Sequence, residues 1–206
     1  MDTATIVRPK LQHYGLTTSN LETMTDWYGK VLGMEINFRT PAPTGPQNGL
    51  KFSGAFAGND EVHHRIVFIE IPGLGVDPEK SRHARVQHVA FEYPTLDELL
   101  ATYLRLKGMG ILPVVAADQG LQTAFYYEDP DQNLVELNIN NYEHETLATD
   151  YMRESRSFPN RPRRVYVDPE KLVEAREAGL SPWQVHERAF AGEFEPTQTY
   201  DPNTPL

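Results

Sequence analysis

The chain of 206 residues contains no cysteine, so disulfide bonds and thiolate metal ligands are excluded. It also lacks a basic excess, and its formal net charge of −10 argues against binding nucleic acid through phosphates. No apolar run approaches the roughly 18 residues of a membrane span, and the N-terminus lacks the pattern of a signal peptide. We therefore expect a cytoplasmic protein that binds neither nucleic acid nor membrane. Any metal must be held by histidine, carboxylate or backbone oxygen.

The sequence contains one module twice. Gln12-His13 and Gln87-His88 each lie in a short apolar run with strand character, and the two histidines are 75 positions apart. The same offset relates Leu21 to Leu96, Tyr28 to Tyr103, Gly33 to Gly108 and Met34 to Met109. Each copy has the pattern of a strand, a helix and three further strands. This predicts an α+β fold in which two tandem βαβββ modules form a cupped mixed sheet around a metal site.

Composition shifts divide the chain into four segments. We predict a first module at residues 1–72, a polar linker at 73–84, a second module at 85–142 and a C-terminal extension at 143–206. The extension should contain two short helices, because Asp168-Pro169 and Ser181-Pro182 each supply an N-cap followed by a first-turn proline. It either packs on this subunit or a neighbour, or covers the active site. From this extension and the open-cupped fold we expect a homo-oligomer.

Three side chains are candidate metal ligands. His13 and His88 begin the two modules, and Glu136 lies on the last strand of the second module. A carboxylate on an inward face needs a cation or hydrogen-bond partners, which favours a ligand role for Glu136. Two histidines and one carboxylate leave three coordination positions open, an arrangement that suits iron(II) chemistry in which substrate and O₂ bind together.

The repeat and this His-His-Glu spacing resemble the vicinal oxygen chelate superfamily, which includes glyoxalases, bleomycin resistance proteins and dioxygenases. The segment from Phe125 to Glu136, with Tyr126 and the pair Asp129-Pro130, is similar to the signature of type I extradiol ring-cleavage dioxygenases. The resemblance covers about residues 8–142, and the extension is reminiscent of small extradiol enzymes. It implies a dioxygenase that opens the ring of a catecholic diol and inserts both atoms of O₂.

The resemblance also implies roles for five residues. His13, His88 and Glu136 would bind Fe(II) or Mn(II), with O₂ as co-substrate and a small aromatic diol as substrate. His64 would be the acid–base catalyst, and the hydroxyl of Tyr126 would donate a hydrogen bond to a substrate oxygen. The neighbouring His63 and Tyr127 are the alternatives to His64 and Tyr126, since strand alternation turns adjacent side chains to opposite faces.

The sequence departs from the signature at two positions. Gln119 stands where the signature has a histidine, and Gln132 stands where it has glycine or proline. A different function on the same fold is also open: Glu70 has the strand parity of His64 and could be a fourth ligand. A site of four ligands resembles a lyase or epimerase of this superfamily. A metal-free small-molecule binding protein is the remaining alternative.

Overall fold

In the computed structural model of the chain, residues 6–40, 53–75, 77–155, 164–197 and 200 are described. The chain divides into two compact units, Met1–Pro78 and Glu79–Leu206. Each unit contains one mixed β-sheet with helices packed on it, which confirms the predicted α+β class. Among the described residues no helix is long and apolar enough to cross a membrane. The segment boundaries, the cytoplasmic location and the homo-oligomeric state stay predictions.

The first unit contains one helix and a four-stranded sheet. Its elements are β1 Tyr14–Thr18, α1 Leu21–Leu32, β2 Glu35–Arg39, β3 Ser53–Gly58 and β4 Ile66–Glu70. The strand order is β1-β4-β3-β2, with β1 parallel to β4 and the other pairs antiparallel. Helix α1 packs on one face of this sheet, where the rings of Tyr28 and Phe68 meet edge to face at 5.0 Å. The sequence pattern predicts a strand at residues 50–57, of which residues 50–52 lie outside the described residues.

The second unit repeats this arrangement and extends it. Its elements are a short 3₁₀ helix Lys80–Arg82, β5 His88–Glu92, α2 Leu96–Gly108, β6 Val115–Asp118, β7 Gln122–Glu128, β8 Leu134–Asn140, α3 Glu145–Glu154, β9 Val165–Tyr166, α4 Pro169–Glu177 and α5 Pro182–Phe190. The strand order is β5-β8-β7-β6-β9. Strand β5 is parallel to β8, as β1 is to β4. Helix α2 covers one face, with the ring of Tyr103 edge-on to that of Phe125.

The helix ends follow local sequence signals. The spacing of Ser19 and Glu22 is that of a capping box and predicts a cap at Ser19, but Asn20 caps α1 by accepting a hydrogen bond from the Thr23 backbone. The same spacing of Thr95 and Glu98 predicts a cap at Thr95, and Thr95 caps α2. Gly33 ends α1 with φ of 65°, a left-handed conformation that glycine adopts without strain.

The C-terminal extension contains the two predicted helices and one more. Helices α4 and α5 begin after the caps Asp168 and Ser181. The additional helix is α3, whose N-cap residue His144 makes no side-chain capping bond, so the sequence offered no capping signal. Strand β9 pairs antiparallel with the edge of β6, and Arg176 of α4 makes hydrogen bonds of 2.6 and 2.7 Å to Asp97 at the start of α2. The extension is therefore part of the packing of the second unit.

Candidate active site

Two candidate metal ligands meet in the second unit. Strands β5 and β8 are parallel neighbours, and Nε2 of His88 lies 3.0 Å from Oε2 of Glu136. The Glu136 side chain is 1% exposed, so its charge needs partners. Its other oxygen, Oε1, accepts hydrogen bonds from Gln122 at 2.6 Å and Asn138 at 2.9 Å. The carboxylate is thus fixed by two amides and directs its second oxygen at the histidine.

The residue before each repeated histidine orients its ring. Oε1 of Gln87 accepts a hydrogen bond from Nδ1 of His88, and Oε1 of Gln12 accepts one from Nδ1 of His13 in the first unit. Because Nδ1 carries the proton, the Nε2 lone pair of each ring is the one that can bind a metal. The sequence reasoning used the Gln-His dipeptide to find the repeat but assigned the glutamines no role.

In the first unit, the predicted acid–base residue lies against the predicted ligand. His64 is buried, and its ring stacks on Phe56 at 4.8 Å and lies 4.3 Å from the ring of His13. Burial lowers the pKa of His64, and the charges of His13 and His63 lower it further. His63 is exposed and its Nε2 lies 3.1 Å from the amide of Gln12. Of the two adjacent histidines, His64 is the one with a buried ring.

Glu70 does not share a face with His64, and the parity argument for it is wrong. Strand β4 begins only at Ile66, so strand alternation does not extend back to His64. Glu70 alternates with Ile66 and Phe68, whose side chains pack under α1. Its Oε2 accepts a hydrogen bond of 2.7 Å from the backbone of Leu21 at the start of α1. Glu70 therefore stabilises a helix N-terminus, where a carboxylate is favourable.

Tyr126 lies beside the His88–Glu136 pair. It is the register partner of Glu136 across β7 and β8, and its ring is edge-on to that of His88 at 5.7 Å. Its hydroxyl accepts a hydrogen bond of 2.7 Å from Nε2 of Gln119. Burial raises the pKa of Tyr126, and the charge of Glu136 and a hydrogen bond to it raise it further. Tyr127 is fully buried with the opposite strand parity, so Tyr126 is the tyrosine on the ligand face.

Gln119 takes part in a chain of amide hydrogen bonds. Nε2 of Gln122 donates to Oε1 of Gln119 at 3.1 Å as well as to Glu136. Gln119 in turn donates to Tyr126. An amide thus occupies the place of the signature histidine and connects the carboxylate to the tyrosine. Gln122 was missed by sequence reasoning, because its partners depend on the register of β7 against β8.

A buried cluster holds the turn that carries Gln119. Asp118 is fully buried; its Oδ1 accepts from the Gly120 backbone at 2.7 Å and its Oδ2 from Thr123 at 3.2 Å. His186 of α5 lies 2.7 Å from the same Oδ2. Gly120 has φ of 85°, and a Cβ there would lie 3.4 Å from the ring of Phe190. The extension therefore supports the turn directly.

The second departure from the signature, Gln132, has an unusual backbone conformation. Gln132 has φ of 63°, the one positive φ of a non-glycine residue in the described ranges. Glycine, which the signature allows here, adopts this conformation without steric cost. Asp129 compensates by accepting hydrogen bonds from the backbones of Asp131 and Asn133 at 3.0 and 2.8 Å.

Within the described parts of the chain, no three histidine or acidic side chains cluster as a ready metal site. His88 and Glu136 form a pair with the nitrogen and oxygen donors that iron(II) accepts. The donor set contains no thiolate, since the chain has no cysteine. The pair can supply two ligands of a metal centre.

Comparisons with known proteins give the family. A family model described as Glyoxalase/Bleomycin resistance protein/Dioxygenase superfamily matches residues 10–137. Biphenyl-2,3-diol 1,2-dioxygenase 3 of Rhodococcus globerulus is 35% identical over 90% of this chain and 91% of its own length. Biphenyl-2,3-diol 1,2-dioxygenase 2 of the same organism is 35% identical over 91% of this chain and 92% of its own.

A solved structure agrees with this result. The glyoxylase/bleomycin resistance protein/dioxygenase domain from Frankia sp. EAN1pec has a TM-score of 0.56 and 20% identity, and covers 67% of this chain and 96% of its own. That likeness concerns the fold alone. The chain belongs to the Glyoxalase/Bleomycin resistance protein/Dioxygenase superfamily, and the resemblance seen in its repeated modules is confirmed.

Proposed function

We propose that this protein is an extradiol dioxygenase that cleaves the ring of an aromatic diol beside its hydroxyl groups and inserts both atoms of O₂. The observation that carries the proposal is the pairing of His88 with the buried Glu136 beside Tyr126 on one sheet face. The curated relatives, which match nearly the whole chain, are named as dioxygenases of an aromatic diol.

We assign the metal ligands as His88, Glu136 and His13, binding Fe(II) or Mn(II). The geometry supports His88 and Glu136 as ligands, because Nε2 of His88 and Oε2 of Glu136 lie 3.0 Å apart. The remaining side-chain atoms, Nδ1 of His88 and Oε1 of Glu136, are already hydrogen-bonded to glutamine side chains. A bound metal supplies the point at which diol and O₂ come together and electrons pass between them. Three protein ligands leave the coordination positions that this requires.

Tyr126 and His64 handle the substrate protons. The raised pKa of Tyr126 keeps its hydroxyl protonated at neutral pH. Once the Glu136 carboxylate is bound to the metal, this proton would be donated to a diol oxygen instead of to Glu136. The lowered pKa of His64 keeps its ring neutral at pH 7, so it accepts a proton from the diol and returns it when the product forms. Gln119 is neutral at every pH and holds Tyr126 by its amide.

Ring cleavage with purified protein tests this function. Protein loaded with Fe(II) under anaerobic conditions is mixed with catechol or 2,3-dihydroxybiphenyl, and oxygen is then admitted. We expect a yellow ring-opened product and about one O₂ consumed per diol, as insertion of both oxygen atoms requires. His88→Ala should abolish both signals, while His144→Ala, at an exposed histidine outside the site, should retain them. Metal-loaded protein that consumes no O₂ with any diol would reject the proposal.

A further inference from the structure

A cavity of about 390 Å³ lies in the second unit next to the His88–Glu136 pair. It is large enough for a ring substituent, since small-molecule pockets have volumes from about 300 Å³ upward. Its lining comes from β5, from Leu121 just before β7 and Gln122 at its start, from β8 and from α3, and its polar side chains include Glu92, Asn138, Asn140 and Glu145.

The cavity continues the sheet face that carries the candidate ligands. Glu92 follows His88 by four positions on β5, and Asn140 follows Glu136 by four on β8, so strand alternation keeps all four on one face. With a rise of about 3.3 Å per residue, the cavity begins roughly 7 Å beyond the ligands. Gln122 belongs to both places, because it lines the cavity and donates to Glu136. A substituent that points along the strands from a diol held at the ligands would reach this cavity.

One face of α3 forms the wall opposite the strands. Glu145, Ala148, Thr149 and Met152 are spaced as i, i+3, i+4 and i+7, which places them along one side of a helix. The helix is tied to the sheet at this point, since Nδ2 of Asn140 donates to Oε1 of Glu145 at 2.8 Å. The C-terminal extension therefore contributes directly to the cavity.

More than half of the residues that line the cavity are polar. Three amides, two carboxylates and a hydroxyl face it beside four apolar side chains, whereas most small-molecule pockets are predominantly apolar. Burial raises the pKa of Glu92, and the charge of Glu145 raises it further. Such a lining accepts hydrogen bonds and repels an anion. The amides of Gln122 and Asn138 donate to Glu136 and that of Asn140 donates to Glu145, so acceptor oxygens are what the lining presents to a substituent.

We propose that this cavity receives the ring substituent of the diol. The face of α3 formed by Ala148, Thr149 and Met152 selects the size of the substituent. The preferred substituent donates hydrogen bonds and carries no negative charge. The inference rests on the proposed function and deepens it. The relatives' names refer to a phenyl substituent, so the inference separates this protein from them.

Four diols test the preference: catechol, 3-(hydroxymethyl)catechol, 2,3-dihydroxybiphenyl and 2,3-dihydroxybenzoate. We expect the hydroxymethyl compound to have a kcat/KM about tenfold above the biphenyl and the benzoate, a difference that one hydrogen bond can provide. Equal values for all substituted diols, or a preference for the benzoate, would overturn the chemical part of the inference.

A matched pair of variants on α3 tests the wall. Thr149→Leu fills the cavity, and Thr146→Leu makes the same change at an exposed position that does not line it. Thr149→Leu should lower kcat/KM about tenfold for the three substituted diols and change it less than about twofold for catechol. Thr146→Leu should leave every diol within about twofold. Met152→Trp, at a half-exposed position that tolerates bulk, should reproduce the Thr149→Leu pattern.

Dissociation constants from anaerobic calorimetry give a second readout that is independent of turnover, and they should follow the same order. Equal behaviour of Thr149→Leu and Thr146→Leu, or an equal loss for all diols including catechol, would overturn the inference while ring cleavage by the wild-type protein still supports the proposed function. A wild-type protein that cleaves none of the diols would reject both.

Discussion

Nδ1 of His186 on α5 lies 2.7 Å from Oδ2 of Asp118 at the end of β6, and both side chains are almost completely buried. Because Nδ1 faces a carboxylate oxygen, the histidine donates and the aspartate accepts. Asp118 holds the turn that carries Gln119, and Gln119 holds Tyr126. The extension is thus connected to the candidate active site through three successive hydrogen bonds.

We expect His186→Ala to lower the free energy of unfolding by about 3 kcal/mol, because it leaves a buried carboxylate without its strongest partner. The measurement is urea denaturation at pH 7. His144→Ala, at an exposed position, is the control and should change stability by less than about 0.5 kcal/mol. A His186→Ala variant as stable as this control would show that the hydrogen bond contributes nothing.

Gln87 and Gln12 should act on metal affinity. Gln87→Leu and Gln12→Leu remove the oxygen that fixes Nδ1 of the following histidine, so each should weaken metal binding about tenfold to a hundredfold. Gln87→Glu keeps an accepting oxygen and should restore most of the affinity. Competition with a chelator of known affinity measures this. Unchanged affinity in both leucine variants would contradict the orienting role.

Tyr126 and Gln119 should act as one unit in catalysis. Tyr126→Phe and Gln119→Leu each remove one partner of the same 2.7 Å hydrogen bond, so we expect each to lower kcat/KM by about tenfold or more. The double variant should lose much less than the product of the two losses. Additive losses in this double-mutant cycle would contradict the coupling.

Tyr127→Phe is the matched control for that cycle. Its hydroxyl is buried and has no hydrogen-bond partner within the described part of the chain. Removing an unsatisfied buried hydroxyl should leave activity unchanged and stability equal or slightly higher.

The ion pair between Asp97 and Arg176 should give a small pH-dependent contribution to stability. The hydrogen bond from Arg176 lowers the pKa of Asp97 below its ordinary value of 3.8. The contribution is therefore fully present above pH 3.8 and is lost as the pH falls through the lowered pKa of the folded state. Because Asp97 is 62% exposed, Asp97→Asn should cost less than about 1 kcal/mol at pH 7.

Urea midpoints of wild type and Asp97→Asn, measured at pH 7 and pH 3, check this prediction. The difference between the two proteins should be smaller at pH 3. A difference that grows as the pH falls would mean that the ion pair stabilises the protein more at acid pH, which would contradict the prediction.

The repeated module was predictable from sequence because its signals are local. The offset between Gln12-His13 and Gln87-His88, the helix caps and the glycine that ends α1 all lie within short segments. Helix α3 was missed because its first residue follows no capping side chain.

The candidate site was predictable only in part. Residue type and spacing identified His88 and Glu136, and the resemblance to the family signature identified Tyr126. The structure brings these three together. The parity argument for Glu70 failed because the strand starts two residues after His64. The roles of Gln119 and Gln122 depend on strand register, which a single sequence does not specify.

Strand β9 has a consequence for solubility. Its pairs Ala117 with Tyr166 and Asp118 with Val165 occupy the backbone groups along the outer side of β6. An uncovered strand of this kind is a template for adding a strand from another molecule. A protein shortened before residue 164 would therefore expose the outer edge of β6 as well as lose the packing of α4 and α5. Its loss from solution at high concentration would then include intermolecular β-pairing at that edge.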